Sequence, residues 1–181
     1  MSKHISFLKE AFKDWRSTGS IVRSSPELIK KMLNPIHFDK VDLIVELGAG
    51  QGCITKALAD SLVGNTQLLA FELNDHFLEE LSLLEKENVD IINGDALNLL
   101  TYVKKESVDV VISSLPLANF PFTLKRDILQ QCYDSLKPTG LFIQFQYSLI
   151  DYKLLKKRFS SVERKFTPLN IPPAFIYVCC K

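Results

Sequence analysis

Residues 42–52 read DLIVELGAGQG, a short apolar run that ends in three glycines separated by single residues. The run Asp42–Leu47 has the length of a strand and is largely apolar, which is typical of a parallel strand covered on both faces. The glycines allow a tight backbone turn, and the helix predicted near residues 53–63 presents free N–H groups to a ligand. The stretch therefore predicts the first strand–turn–helix unit of an α/β domain, with a ligand site at its turn.

The same alternation of strand, turn and helix continues along the chain. Only Pro168–Pro173 separates the last two apolar runs, which is too short for a crossover helix, so these strands should pair antiparallel. We expect a single α/β domain over residues 1–181, with three layers around a mostly parallel, seven-stranded sheet that ends in a C-terminal antiparallel hairpin. The predicted strands are 42–47, 67–73, 89–92, 108–113, 141–147, 161–167 and 174–180. One helix is predicted to begin near residue 24, and four more are predicted at 53–63, 75–86, 124–136 and 150–159.

The composition argues against several classes of protein. The formal net charge of +1 gives no global attraction to nucleic acid. The four cysteines show neither a Cys-x-x-Cys pair nor the spacing of a metal site, so we predict no metal and a reducing compartment. No apolar run approaches the roughly 20 residues that span a bilayer, and the charged N-terminus does not have the pattern of a signal peptide. We expect a cytoplasmic protein that meets a membrane only at its surface.

Two acidic residues follow the glycine turn, at the ends of the next two predicted strands. Glu72 lies 20 residues after Gly52, where a carboxylate can accept hydrogen bonds from both hydroxyls of a ribose. Asp95 follows Gly94 at the end of the third strand, where it can meet the amino group of an adenine. The turn and the two acids together predict a nucleoside site that is contacted at three places.

The pattern Glu-x-Gly-x-Gly-x-Gly at 46–52, with the acids and the closing hairpin, resembles the class I S-adenosylmethionine-dependent methyltransferases over about residues 41–181. The resemblance implies a Rossmann-like methyltransferase fold, with 41–181 as the core that binds S-adenosyl-L-methionine. It implies that the glycines pack on the methionine part, that Glu72 holds the ribose and that Asp95 holds the adenine. The cofactor-binding residues implied in this way are Glu46, Gly48, Ala49, Gly50, Gly52, Glu72, Leu73, Asp95, Ala96 and Ser113.

Residues 109–122 read DVVISSLPLANFPF, so the fourth predicted strand ends in two serines, a leucine and a proline. Methyltransferases of nucleic-acid amino groups usually carry Asp/Asn-Pro-Pro-Tyr/Phe or Asn-Leu-Pro-Tyr at this place, where the aromatic ring stacks on a flipped base. Here serine is the polar residue and Leu117 replaces the aromatic ring. This disfavours a base and favours an amine on an apolar molecule.

An amine must be uncharged to accept a methyl group, and removal from water lowers the pKa of its ammonium form. We expect this desolvation from four apolar residues, Leu115, Leu117, Phe120 and Phe122. The carbonyl of Ser114, the hydroxyl of Ser113 and the side chain of Tyr147 are predicted to orient the nitrogen. The predicted catalytic residues are therefore Ser113, Ser114, Leu115 and Tyr147, and no general base is evident.

Further segments narrow the resemblance to the bacterial phospholipid N-methyltransferases, a family that is itself similar to ribosomal-RNA adenine dimethylases. These segments are 17–26, SSLPLANFP at 113–121, QFQY at 144–147 and LNIPPAF at 169–175. The family methylates the amine of phosphatidylethanolamine, and its relatives act on ornithine lipids. Ser114 stands where the family typically has glycine, and Arg23 where proline is common. The predicted substrate-binding residues are Arg23, Ser24, Ser25 and Tyr147.

Residues 1–35 are predicted to form a helical segment before the core. Residues 4–16 have the pattern of a basic amphipathic helix, which suits either a lid on the domain or a contact with an anionic membrane surface. The main hypothesis is methyl transfer to the amine of a membrane amino-lipid headgroup. The alternatives are an RNA adenine N6-methyltransferase and a non-catalytic membrane-binding protein with the same fold. The headgroup, the number of methyl groups and the oligomeric state stay open.

Overall fold

The computed structural model describes residues 24–181, which form a seven-stranded sheet in the order β3-β2-β1-β4-β5-β7-β6. Neighbouring strands pair parallel except β7, which is antiparallel to both β5 and β6. The fold class predicted from the sequence is therefore confirmed. The strands are β1 Leu43–Leu47, β2 Gln67–Glu72, β3 Val89–Asn93, β4 Val108–Ser113, β5 Leu136–Gln146, β6 Ser161–Thr167 and β7 Ala174–Cys180.

Helices cover both faces of this sheet because the central strands are apolar on both sides. The α-helices are α1 Pro26–Leu33, α2 Cys53–Ser61, α3 Asp75–Ser82, α4 Phe122–Ser135 and α5 Tyr152–Arg158. On one face Ile44 and Val110 pack with Leu28 of α1 and Leu58 of α2. On the other face the core of β1 and β4 packs against α4 and α5. The sheet is thus the middle one of three layers, as the sequence predicts.

The first helix begins as the sequence indicates. Ser25 is the N-cap of α1, its Oγ accepts a hydrogen bond from the N–H of Leu28 at 3.2 Å, and Pro26 occupies the first turn. Leu28 and Met32 are fully buried against the sheet. Within the predicted segment 1–35, the described part of α1 therefore packs on the core, whereas residues 1–23, with the predicted helix at 4–16 and Arg23, lie outside the described residues.

The end of α4 differs from the prediction. The sequence predicted a helix over 124–136 that stops at Lys137–Gly140 and a strand from residue 141. Instead α4 ends at Ser135, and β5 begins at Leu136 with a register shift opposite Val108–Val110. The Lys-Pro-Thr-Gly segment is a bulged strand start, because pairing with β4 resumes on both sides of it. Three short 3-10 helices were also missed, at Phe38–Lys40, Ala96–Thr101 and Leu117–Asn119.

Candidate active site

The glycine turn after β1 is held against the end of β2. The N–H groups of Gly48 and Ala49 both donate to the carbonyl of Phe71, at 2.9 and 3.0 Å. Gly48 has a φ of 79°, and a Cβ there would lie 3.0 Å from Cδ2 of Leu115. The turn therefore needs glycine at this position, both for its left-handed backbone and for the close approach of the loop after β4.

Glu72 locks the same turn through its side chain. Its carboxylate accepts hydrogen bonds from the backbone N–H groups of Gly50 at 2.7 Å, Leu73 at 2.9 Å and Asn74 at 2.9 Å. A carboxylate has about four lone-pair sites, so about one remains for a ligand. The structure thus gives Glu72 a second role that the sequence did not predict, which is to fix the loops after β1 and β2 to each other.

Residues at the ends of β1, β2, β3 and β4 line an open cleft of about 280 Å³, here called the cofactor cleft. Its lining residues are Gly48, Phe71, Glu72, Leu73, Gly94, Ala96 and Leu115. Four of them are predicted cofactor-binding residues. Phe71 and Gly94 were not predicted as site residues, although the glycine between Asn93 and Asp95 was a signal. A Cβ at Gly94 would lie 3.1 Å from Phe71, so the two meet side by side in the wall.

The other six predicted cofactor-binding residues are not among those that line this cleft. Asp95 is buried and its Oδ1 accepts a hydrogen bond from the N–H of Leu97 at 2.8 Å, which caps the following 3-10 helix. Ser113 is buried, and its hydroxyl accepts a hydrogen bond from the N–H of Leu115 at 3.3 Å. None of the remaining four lines the cleft: Glu46, Ala49, Gly50 and Gly52.

Among the acidic side chains of the described residues, Glu46 is the one whose pKa is shifted most. It is fully buried in β1, between Ala70 of β2 and Ile112 of β4. Burial raises the pKa of Glu46 to about 7, with a further contribution from the charge of Glu72, and the nearby Thr55 hydroxyl offsets only part of this. No hydrogen bond of good geometry reaches either carboxylate oxygen within residues 24–181. Such a group beneath a glycine turn fits a site that receives a positively charged ligand.

A second cavity of about 510 Å³, here called the acceptor cavity, lies at the ends of β4 and β5. It shares Leu115 with the cofactor cleft, so the two spaces adjoin at this residue. None of its lining residues carries a charge, and apolar or aromatic side chains form most of the wall. They are Ser114, Leu115, Pro116, Ala118, Asn119, Phe145, Gln146, Tyr147 and Ser148.

Three of the four predicted catalytic residues line this cavity, namely Ser114, Leu115 and Tyr147, whereas Ser113 does not. The predicted desolvating residues mostly do not take that position. Leu117 and Phe120 are buried in the core, because the 3-10 helix at Leu117–Asn119 turns their side chains inward, and Phe122 is 63% exposed. The apolar wall is instead made by Pro116, Ala118, Phe145 and Tyr147.

Tyr147 connects this cavity to the start of α1. Burial raises the pKa of Tyr147, and a hydrogen bond with the Asn170 side chain offsets part of the effect. Asn170 is itself buried, and its Oδ1 accepts a hydrogen bond from the backbone N–H of Ser25 at 3.0 Å. The Ser25 hydroxyl is engaged as the helix cap. Two of the four predicted substrate-binding residues, Ser25 and Tyr147, therefore contact the same Asn170, which was not predicted. Arg23 lies outside the described residues.

Residues 24–181 contain neither a metal site nor a helix that could span a membrane. No group of three or more His, Cys, Asp or Glu side chains there has the arrangement of a metal site. No helix in this part of the chain has the length and apolar content that crossing a membrane requires.

Comparison with known proteins agrees with this geometry. Residues 44–140 match the family described as "Methyltransferase domain". The chain is 31% identical to an ornithine lipid N-methyltransferase of Singulisphaera acidiphila over 179 residues, which cover 96% of this chain and 93% of that protein. It is 29% identical to the ribosomal RNA small subunit methyltransferase A of Streptococcus thermophilus over 133 residues, but these cover only 44% of that protein.

Solved structures share the fold at low sequence identity. The 1,6-didemethyltoxoflavin-N1-methyltransferase of Burkholderia thailandensis superposes with a TM-score of 0.73 and 13% identity, covering 98% of this chain and 86% of its own. The N-methyltransferase NodS of Bradyrhizobium japonicum superposes with a TM-score of 0.71 and 13% identity, and the match covers 86% of this chain and 94% of NodS. The glycine turn, the buried acids and the family match all agree. The chain therefore belongs to the methyltransferase domain family, and it is an S-adenosylmethionine-dependent methyltransferase.

Proposed function

We propose that this protein transfers methyl groups from S-adenosylmethionine to the amine of a membrane amino-lipid headgroup, either phosphatidylethanolamine or an ornithine lipid. The observation that carries the proposal is the 31% identity to an ornithine lipid N-methyltransferase, which extends over nearly the full length of both chains. The uncharged acceptor cavity beside the cofactor cleft supports it, because a lipid amine must enter a dry, apolar space.

The cofactor cleft has the residues that would hold S-adenosylmethionine. Gly48 leaves room at the turn, Glu72 has about one lone pair for a ribose hydroxyl, and Ala96 and Leu73 would contact the adenine. Asp95 would fix the adenine side through the loop that it caps. When bound, the cofactor supplies a methyl group on a positively charged sulfur, which an amine lone pair can displace.

The chain contributes mainly desolvation and alignment. Phe145, Tyr147 and Pro116 keep water away from the amine, which disfavours its ammonium form. Leu115 lines both the acceptor cavity and the cofactor cleft, so an amine held next to it would lie close to a bound cofactor. Holding the reacting atoms in line can account for several kcal/mol of the barrier, on the order of 7–11 in favourable systems.

Exposed apolar side chains on the same edge support a location at the cytoplasmic membrane surface. Leu149 and Ile150 follow the cavity residue Ser148, and Ile150 is 68% exposed. Leu169 and Ile171 lie in the β6–β7 loop, which reaches this edge because Gln146 of β5 pairs with Phe175 of β7, and they are 70% and 77% exposed. An apolar rim around a cavity suits a substrate that is partly embedded in lipid.

One observation favours a second candidate, an adenine N-methyltransferase acting on RNA. Ribosomal RNA methyltransferase A of Streptococcus thermophilus matches 71% of this chain. The net charge of +1 and the missing aromatic residue after Pro116 argue against it, since a flipped base needs a stacking platform. The match also leaves out more than half of that protein.

The test is a methyl-transfer assay with radiolabelled S-adenosylmethionine. Purified protein is offered mixed micelles of phosphatidylethanolamine, micelles of ornithine lipid, ribosomal RNA and a protein mixture. We expect label in the lipid fraction and methylated headgroups in its mass spectrum. Label in RNA alone would replace the proposal by the second candidate. Liposome flotation with cofactor binding but without any transfer would identify a non-catalytic membrane-binding protein.

A further inference from the structure

Two loops next to the acceptor cavity, here called the rim loops, bury a polar side chain and expose aliphatic ones. They are residues 147–151, between β5 and α5, and residues 168–173, between β6 and β7. Asp151 is buried in the first loop and Asn170 in the second. The exposed aliphatic residues are Leu149, Ile150, Leu169 and Ile171. Proteins surrounded by water usually show the reverse arrangement, so two such loops indicate an apolar medium outside them.

The buried polar residues fix both rim loops to the body of the domain. Asn170 Oδ1 accepts a hydrogen bond from the N–H of Ser25 at 3.0 Å, and its Nδ2 donates to the carbonyl of Pro172 at 2.7 Å. The carboxylate of Asp151 accepts from Nζ of Lys125 at 2.7 Å. Because these contacts are internal, the rim loops hold their aliphatic side chains outward in a fixed position.

The backbone of both rim loops is suited to apolar surroundings, where an unpaired N–H or C=O group is costly. Three of the six residues in the second loop are prolines, which have no N–H to remove from water. In the first loop the carbonyl of Ser148 accepts from the hydroxyl of Tyr177 at 3.1 Å, and that of Leu149 accepts from the N–H of Tyr152 at 3.1 Å. Contact with lipid therefore strips few hydrogen bonds from these loops.

The charged side chains that adjoin the rim loops include three lysines. Lys153 is exposed in the first turn of α5, and Lys165 comes shortly before the second loop. Lys31 of α1 donates to the carbonyl of Phe166 at 2.9 Å, which places a third amine near that loop. The net charge of the whole chain is only +1, so this basic character is local. A bilayer that contains anionic lipid supplies both an apolar interior and negative headgroups, so it matches both features of the surface.

We propose that both rim loops insert their aliphatic side chains among the lipids of an anionic bilayer. Tyr147 and Ser148 of the first loop line the acceptor cavity, and Asn170 of the second contacts Tyr147. Insertion therefore holds the cavity at the depth of the lipid headgroups. This assignment rests on the proposed function, to which it adds the part of the chain that enters the bilayer.

The first test measures insertion without any methyl transfer. Ile171→Trp is combined with Trp15→Phe, which leaves one tryptophan, and the protein is mixed with vesicles of phosphatidylglycerol and phosphatidylcholine. The emission should shift to the blue, and lipids with brominated acyl chains should quench it. Ile150→Trp tests the first loop in the same way. The control is Leu83→Trp, at an exposed position after α3 on the β2 side of the sheet, which should be neither shifted nor quenched.

The second test removes the aliphatic contact. Ile150→Ser with Ile171→Ser should bind the same vesicles at least about 10-fold more weakly in flotation assays, because two aliphatic side chains no longer leave water. The matched control is Val63→Ser with Leu83→Ser, which removes two exposed aliphatic side chains away from the acceptor cavity. Its vesicle binding should equal that of the wild type.

Kinetics separate insertion from a direct contact with the reacting headgroup. With phosphatidylethanolamine in vesicles, Ile150→Ser with Ile171→Ser should raise KM about 10-fold, in line with the weaker binding. With short-chain phosphatidylethanolamine dissolved as monomers, kcat/KM should match the wild type. An equal loss on both forms of the lipid would place these residues in the acceptor site and would overturn insertion.

The outcomes distinguish insertion from the proposed function. A wild type that methylates neither lipid, although vesicles quench the tryptophan variants, ends the proposed function and leaves the insertion. An active enzyme whose tryptophans at 150 and 171 are not quenched overturns insertion alone. A dimer that Ile150→Ser with Ile171→Ser dissociates, without quenching by vesicles, would assign the rim loops to a second copy of the chain.

Discussion

The two ligand spaces at the carboxyl edge of the sheet treat their polar groups in opposite ways. In the cofactor cleft the Glu72 carboxylate is already engaged by three backbone N–H groups. The residues that line the acceptor cavity carry no charge, and the side chain of one of them, Gln146, donates a hydrogen bond to the buried ion pair of Asp151 and Lys125. Both spaces meet at Leu115.

This difference teaches how each space is built. The cofactor cleft is formed by the backbone and by one acid that fastens two loops, so its shape exists before a ligand binds. The acceptor cavity is lined by uncharged and mostly apolar residues, and the buried pair of Lys125 and Asp151 does not line it. Removing a polar group from the cleft should therefore damage the fold together with binding. Removing one from the cavity wall should change mainly recognition.

The largest expected effect is that of Glu72→Ala. Three N–H groups lose their acceptor, and at about 1–3 kcal/mol for each unsatisfied donor the free energy of unfolding should fall by about 5 kcal/mol. Binding of S-adenosylhomocysteine, measured by isothermal titration calorimetry, should be lost. The control is Glu79→Ala, on the exposed part of α3, which should bind normally. Retained titration by Glu72→Ala would show that the cleft does not depend on this acid.

The next effect concerns the buried ion pair behind the acceptor cavity. Lys125→Met leaves Asp151 charged and buried without its partner, and we expect the free energy of unfolding to fall by about 4 kcal/mol in urea titrations. The control is the neighbouring Arg126→Met, which breaks the exposed pair with Asp127 and should change stability by less than about 0.5 kcal/mol.

A double variant separates the charge from the packing at this pair. Lys125→Met with Asp151→Leu removes both charges and should recover most of the lost stability, because two apolar side chains can replace a buried pair. Methylation should stay low in this variant, since Gln146 loses the group that orients it. Equal losses for the single and the double variant would mean that the pair acts through packing alone.

The sequence predicts most of the fold because the strands are clear apolar runs separated by turns and helices. The bounds of β4, β6 and β7 agree with the prediction, and the glycine turn with Glu72 identifies the cofactor cleft. These signals are local: a turn, a strand end and an acid at a set spacing. The bulged start of β5 was not predicted because Lys-Pro-Thr-Gly has the composition of a turn. In the structure, pairing with β4 overrides that preference.

The acceptor side is harder to predict because its contacts are distant in the sequence. Lys125 and Asp151 lie 26 residues apart and are surrounded by other charged residues, so nothing local indicates that they are buried together. Phe120 was expected in the cavity and lies in the core, since a short helix of weak propensity decides where its side chain points. Which apolar residues line a cavity depends on tertiary packing that hydrophobicity alone does not describe.

The third effect is the pH dependence that comes from Glu46. Its pKa is about 7 in the folded protein against an ordinary value of 4.5, so the unfolded chain loses this proton first as the pH rises. Stability is unaffected by the group below about pH 4.5, falls between pH 4.5 and 7, and then stays lower. We expect a loss of about 3 kcal/mol between pH 5 and pH 8 in urea titrations without cofactor.

Glu46→Gln should remove this slope, because an amide does not titrate. The variant should be the more stable protein at pH 8, while at pH 5 the two should differ little. Glu72, which contributes to the raised pKa, is unchanged in both proteins. If the wild-type protein is as stable at pH 8 as at pH 5, the pKa of Glu46 is not raised, and its surroundings are more polar than those in the structure.

The smallest effect tests the link between the acceptor cavity and α1. Asn170→Ala leaves the Ser25 N–H and the Pro172 carbonyl without their side-chain partner, so we expect a loss of about 2 kcal/mol in the free energy of unfolding. Because Asn170 also contacts Tyr147, KM for the lipid should rise severalfold while binding of S-adenosylhomocysteine stays unchanged. The control Asn65→Ala lies at the opposite edge, in the exposed turn before β2, and should alter neither quantity. Equal weakening of lipid and cofactor binding by Asn170→Ala would mean that the two spaces are one mechanical unit, and the contrast between them would not hold.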